Sequence, residues 1–125
     1  MTLTRITEGK ATFLAQQVNV VSREQDVFYN PEMELNRAIT MTLLKCVEHT
    51  HMRVALPLAG TGVRALRMLL ELPNDKIKII KTNDMKEEAV TRMRENLKLN
   101  PTIEKNRVEI SQQDGNVFLH NERGF

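Results

Sequence analysis

The chain has no tryptophan, one tyrosine and four phenylalanines, so the adjacent pair Phe28-Tyr29 stands out. Cys46 is the only cysteine, which excludes an internal disulfide and the small secreted scaffolds that depend on such bridges. A reduced, cytoplasmic setting follows. No apolar run is long enough to span a bilayer, and Met1-Thr2-Leu3-Thr4-Arg5 lacks the apolar stretch of a secretory signal. Neither sign of charge dominates, since 18 Lys and Arg face 16 Asp and Glu for a net charge of +2. That balance neither demands nor excludes a nucleic-acid partner, which depends on local patches. The three histidines have no metal-ligating spacing with cysteine or acidic residues, and no Ser-His-Asp or paired-carboxylate constellation is present. No catalytic residue and no metal ligand is therefore assigned.

What is there is periodic. At 125 residues the length fits one domain, and seven methionines suit adaptable core filling. Lys10 to Val21, with Phe13, Val18, Val20 and Val21, reads as an N-terminal strand or hairpin. Asn30 can cap a helix that Pro31 opens, and Leu35, Ile39, Leu43, Leu44 and Val47 then share one apolar face over 31–48. Cys46 falls near that face as a small buried hydrophobe, and His49 and His51 belong to a solvated connection. Met52 to Leu58 reads as a strand running into Ala59-Gly60-Thr61-Gly62. Val63 to Leu72 is a helix with Leu66, Leu69 and Leu70 inward, stopped by Pro73-Asn74-Asp75.

Ile77, Ile79 and Ile80 mark a second strand ending at Thr82-Asn83-Asp84, with Lys76, Lys78 and Lys81 facing solvent. Lys86 to Leu99 is amphipathic, with Ala89, Val90, Met93 and Leu97 on one stripe. Val108 and Ile110 mark a third strand, followed by Gln113-Asp114-Gly115 and a helix starting at Asn116. This order predicts an α/β fold of βαβ units on a parallel sheet. Three strands are fewer than a doubly wound domain carries, so the chain reads as the first half of a Rossmann-like domain with an N-terminal strand or hairpin extension.

Ligands of such sheets gather at the carboxyl ends of the strands, and three positions fall there. Gly60-Thr61-Gly62 lets the backbone approach a ligand, and Ala65 stands where a dinucleotide fingerprint has its third glycine. Asp84 follows the glycine turn by about 20 residues, the spacing of a ribose-binding acid; a cap for the next helix is its other reading. Asp114 can accept a hydrogen bond from an adenine amino group while Gly115 leaves room for the ring, and it too can serve as a cap. Arg64 opposes the dipole of the helix it begins, so it reads either as a solvated arginine or as one whose counter-charge is a ligand carboxylate over the loop. Arg67, one turn later, reads as a surface residue or an intramolecular pair. Arg37, two turns into its helix, can face a carboxylate or a nucleotide. A ribose, an adenine and a carboxylate together describe S-adenosylmethionine.

These residues resemble the tRNA guanine-26 N2-dimethyltransferases. Glu8-Gly9-Lys10-Ala11 looks like that family's N-terminal strand, and Val27 to Arg37 like its VFYNP-x-M-x-x-NR segment. Gly60 to Arg67 is similar to its cofactor loop, and Asn83-Asp84, Asn96-x-x-x-Asn100 and Asp114-Gly115 follow in the family's order. The resemblance implies a class I S-adenosylmethionine-dependent methyltransferase fold, with the cofactor held by Arg37, Arg64, Asp84, Asp114 and Gly115. It implies tRNA as the partner and the exocyclic N2 of guanine 26 as the methylated atom. It divides the chain into N-terminal strands over 1–30 and cofactor-binding βαβ units over 31–125. Ala55-Leu56-Pro57-Leu58 stands where the family usually has an acidic residue, Gly115 replaces the usual alanine, and Phe125 precedes the family's DPFG motif and its C-terminal tRNA-binding domain. The chain alone is thus expected to hold the cofactor half without catalytic competence.

Other readings are a non-catalytic S-adenosylmethionine- or RNA-binding module and a nicotinamide-dependent oxidoreductase. The oxidoreductase gives no role to Arg37 and Arg64. Asn30-Pro31 as the catalytic motif of a base methyltransferase lacks the second proline and the strand-end position that such a motif has.

Overall fold

The computed structural model describes residues 3–16 and 26–122. Two strands, β1 (Leu3–Glu8) and β2 (Ala11–Gln16), form an antiparallel hairpin in which Glu8 pairs with Ala11. Gly9 turns it with φ 56°, and a Cβ there would run into the Glu71 carboxylate. The hairpin therefore begins earlier than the hydrophobic pattern suggested, since β1 is mixed in character and carries no apolar run. Val18, Val20 and Val21 lie outside the described residues.

Asn30 caps the next element as its side chain predicts. Its Oδ1 accepts from the Glu32 N–H at 3.0 Å, and Pro31 opens a 3-10 turn, Pro31–Met33, that leads into α1 (Glu34–Cys46). The face of α1 is not the expected one. Leu35, Ile39 and Leu43 are exposed, and Arg37 and Met41 are buried with Leu44 half-buried. Arg37 sits two positions from Leu35, about 200° around the helix, so burying one face turns the other outward. An ion pair between Arg37 and Glu8, described below, fixes the rotation against the apolar stripe. Cys46 is exposed on the last turn rather than buried.

We expect Ile39→Lys to change unfolding free energy by no more than about 0.5 kcal/mol, as at other exposed sites. A core isoleucine would not tolerate this. Urea unfolding followed by circular dichroism measures the difference, and a loss of several kcal/mol would place Ile39 in the core after all.

Then come the βαβ units. Strand β3 (Met52–Leu56) stops before Pro57, which has no N–H for a ladder. It is followed by α2 (Val63–Glu71), β4 (Ile77–Asp84), α3 (Glu87–Lys98), β5 (Val108–Gln112) and α4 (Gly115–Asn121). The sheet order is β3-β4-β5, and both pairings are parallel. Leu66, Leu69, Ile77 and Ile80 join Phe13, Met41 and Ile103 in one buried cluster. Strand β2 lies against α2 and α3, so those helices separate the hairpin from the sheet.

Two of the three lysines near β4 depart from the solvent-facing expectation. Lys76 is buried with its Nζ on the Val47 and His49 carbonyls, which ties down the connection before β3. Lys81 is half-buried and paired with Glu122 at 2.7 Å, leaving Lys78 exposed. His49 and His51 are exposed, as the sequence suggests.

Candidate functional site

At the carboxyl ends of β3 and β4, the sheet opens into a pocket of ≈ 540 Å³, within the range of small-molecule sites. Its lining includes Phe28, Arg37, Leu58, Gly60, Arg64 and Asp84. The glycine turn and Asp84 are locked together, because Asp84 Oδ2 accepts from the Gly60 N–H at 3.0 Å. Asp84 Oδ1 accepts from the Lys86 N–H at 3.0 Å, a turn just ahead of α3 rather than its cap, since Lys86 is the N-cap residue and has no side-chain cap bond. One bond per oxygen leaves the carboxylate free lone pairs for ligand hydroxyls. Gly60 has φ 57°, and a Cβ there would lie 2.7 Å from the Phe28 carbonyl oxygen. Only glycine brings the turn this close to the segment before α1.

Arg64 is half-buried and reaches across to α1, donating to Thr40 Oγ1 at 2.9 Å and Asn36 Oδ1 at 3.4 Å. Among the described residues no carboxylate pairs with it. Burial and then the like charges of Arg37 and Arg67 outweigh the attraction of Glu8, holding its pKa below the ordinary value. A half-buried cation on a pocket wall, beside two others and with no carboxylate partner, is chemically suited to an anion.

Arg37 is organised differently. Its Nε and Nη2 grip the two oxygens of Glu8 at 2.8 and 2.6 Å, and Nη2 also donates to the Asn30 carbonyl at 3.1 Å. Its Nη1 makes no hydrogen bond among the described residues, so the guanidinium keeps one nitrogen for the pocket it lines. Glu8 also accepts from Arg67 Nη1 at 3.0 Å and Tyr29 Oη at 3.2 Å. Arg67 completes its fork on Glu71 at 2.7 and 3.1 Å. The buried intramolecular pair is therefore the reading of Arg67 that holds.

Tyr29 resolves one half of the aromatic pair. Its ring meets Phe13 edge-on at 5.2 Å between centroids and carries the Arg37 guanidinium 5.1 Å above it. Burial and then the Glu8 charge push its hydroxyl pKa up to about 12, so it stays a donor. Tyr29 staples the hairpin to α1, whereas Phe28 remains exposed on the pocket wall.

Of the five expected cofactor residues, Arg37, Arg64 and Asp84 line this pocket. Asp114 and Gly115 are not among its lining residues. The Asp114 carboxylate caps α4, accepting from the Asn116 and Val117 N–H groups at 3.0 and 3.2 Å. Gly115 adjoins the pocket through Leu58, whose Cδ2 lies 3.1 Å from where a residue-115 Cβ would sit.

Sequence reasoning assigned no role to three residues that hold this arrangement. Glu8 is the counter-ion of two arginines. Asn83, fully buried, donates from Nδ2 to the Pro57 and Gln113 carbonyls at 3.1 and 2.9 Å, cross-linking the loops after β3 and β5. Asn96 accepts from the Leu14 N–H at 2.7 Å and donates to the Thr61 carbonyl at 2.9 Å. An uncharged or acidic side chain among charged neighbours gives no local signal of partners dozens of residues away. The family resemblance is the one hint for Glu8, Asn83 and Asn96.

Among the described residues, no group of His, Cys, Asp or Glu could hold a metal ion, and no helix is long and apolar enough to cross a membrane.

Comparison with known proteins gives the arrangement a context. A tRNA (guanine(26)-N(2)/guanine(27)-N(2))-dimethyltransferase of Aquifex aeolicus is 36% identical over 124 residues, covering 96% of this chain and 31% of that protein. A tRNA (guanine(26)-N(2))-dimethyltransferase of Pyrobaculum arsenaticum is 38% identical over 94 residues, covering 75% of this chain and 25% of the relative. Trm1 from Pyrococcus horikoshii, solved in complex with S-adenosyl-L-methionine, superposes with a TM-score of 0.75 at 31% identity. That match covers 94% of this chain and 32% of the solved one, so the chain spans about a third of such relatives. Residues 9–125 match the N2,N2-dimethylguanosine tRNA methyltransferase family, and the chain belongs to it.

Proposed function

We propose that this chain is the S-adenosylmethionine-binding portion of an enzyme that methylates the exocyclic N2 of guanine 26 in tRNA, acting in the cytoplasm. The observation that carries the reading is Arg64, a partly desolvated cation without a carboxylate partner, in one pocket with the glycine turn and Asp84. Arg64 and the Nη1 of Arg37 would take the methionine carboxylate. Asp84, already oriented by Gly60, would accept from the ribose hydroxyls. Asp114 and Gly115 would meet the adenine edge beyond Leu58. When bound, the cofactor supplies an electrophilic methyl group; the residues of this chain bind and orient it.

Titration calorimetry tests this on the chain itself. S-adenosylmethionine should bind, NAD should not displace it, and Arg64→Ala should weaken binding at least tenfold, as a lost charge-assisted hydrogen bond implies. Binding that is unaffected by Arg64→Ala, or displaced by NAD, would defeat the assignment.

A further inference from the structure

Leu58 is the most exposed large apolar side chain among the described residues, at 79%. Burial therefore gives the fold little reason to place it there. Its backbone is held from both sides. The Pro57 carbonyl accepts from Asn83 Nδ2 at 3.1 Å, and the Ala59 N–H donates to the Asn83 carbonyl at 2.9 Å. The same Asn83 amide grips the Gln113 carbonyl at 2.9 Å, and its Oδ1 accepts from Ser111 Oγ at 2.8 Å. One buried side chain thus sets the spacing between Leu58 and the loop that carries Asp114 and Gly115. Leu58 rests over Gly115, with Cδ2 3.1 Å from the missing Cβ position and the Pro57 carbonyl 3.7 Å from it. It lines the pocket on its other side.

An exposed leucine with a fixed backbone, lining one pocket with Asp84 and resting over a helix start without a Cβ, is a steric wall. We propose that Leu58 is a specificity-determining residue for the purine end of this site, packing against an adenine face and excluding purines with bulky N6 substituents. The inference rests on the S-adenosylmethionine reading above. Leu58 meets ligand directly, and Asn83 acts through it as a positioning residue.

The test is calorimetry on the chain with S-adenosylmethionine, 5′-methylthioadenosine and N6-benzyl-S-adenosylmethionine. Wild type should bind the benzyl analogue at least tenfold more weakly than the parent cofactor. Leu58→Ala should lose about tenfold for the first two ligands, the scale of a buried leucine contact, and should narrow or reverse the discrimination against the third. Its melting temperature should not move, because the side chain is exposed in the free protein. Gly115→Ala should weaken S-adenosylmethionine in wild type by pressing on Leu58, and less so in Leu58→Ala. Should S-adenosylmethionine bind wild type and Leu58→Ala alike, with discrimination unchanged, this inference falls and the site assignment stands. A parallel fall in melting temperature and in affinity for all three ligands would make Leu58 structural and also overturn it. If wild type binds neither adenosyl ligand, the inference and the reading beneath it fall together.

Discussion

Glu8→Gln should lower the unfolding free energy by about 3–5 kcal/mol, the usual loss when one partner of a buried ion pair is removed. Glu8 is 1% exposed and Arg37 6%, so water replaces the pair poorly on either side. The variant leaves Arg37 with no carboxylate, beside the Tyr29 ring and a backbone carbonyl, and Arg67 with Glu71 as its remaining carboxylate. Removing both members of the pair, Glu8→Gln with Arg37→Gln, should recover part of the loss, because the stranded charge is then gone.

The pH dependence has a definite sign. Burial pushes the Glu8 carboxyl up, but the hydrogen bond and charge of Arg37, with Arg67 and Tyr29, outweigh it and hold the pKa below 4.5. A folded pKa below the unfolded one means the stability is full above about pH 4.5 and is lost as pH falls through the folded value. Guanidinium chloride unfolding of parent and variant at pH 7 and at decreasing pH reads both effects. The difference should shrink below pH 4.5. Equal midpoints at neutral pH would show that the network contributes nothing.

This network marks the boundary of what the sequence discloses. The βαβ order is readable because each helix repeats its apolar residues at 3.6 and each strand ends in a turn signal. Arg64 and Asp84 are readable for a related reason, since strand ends are where open α/β sheets bind ligands. The rotation of α1 is not. Leu35, Ile39 and Leu43 form the better stripe by pattern, yet Glu8, 29 residues before Arg37 in the chain, turns the helix the other way. Periodicity counts apolar side chains and has no means of weighing one distant carboxylate.

Asp114 shows a second limit. The same carboxylate at the same position can cap a helix or meet a ligand, and spacing does not separate the two. In the structure it caps α4, while Leu58 stands between Gly115 and the pocket. Asp84 instead spends one oxygen on the Gly60 N–H and the other on the Lys86 N–H, and α3 begins without a side-chain cap.

Asn96→Leu should cost about 3 kcal/mol or more, since each polar group left buried without a partner costs about 1–3 kcal/mol. Asn96 is fully buried on α3 and acts as a length of strand edge. It accepts from the Leu14 N–H at 2.7 Å and donates to the Leu14 carbonyl at 3.3 Å, as a neighbouring strand would. Asn100 repeats the pattern one turn later, accepting from the Thr12 N–H at 3.1 Å and donating to the Thr12 carbonyl at 2.7 Å. The spacing of two residues along β2 matches four along the helix, about 6–7 Å in each case, which is why Asn-x-x-x-Asn docks a strand. Asn96 also donates to the Thr61 carbonyl in the glycine turn at 2.9 Å. Its loss should therefore loosen two places at once. Hydrogen exchange should show faster exchange at the Leu14 amide, and S-adenosylmethionine affinity should fall through the misplaced turn. Asn100→Leu should free the Thr12 amide while sparing the turn and the affinity. An unchanged unfolding midpoint in Asn96→Leu, or equal loss of affinity in both variants, would refute the link between the hairpin dock and the pocket.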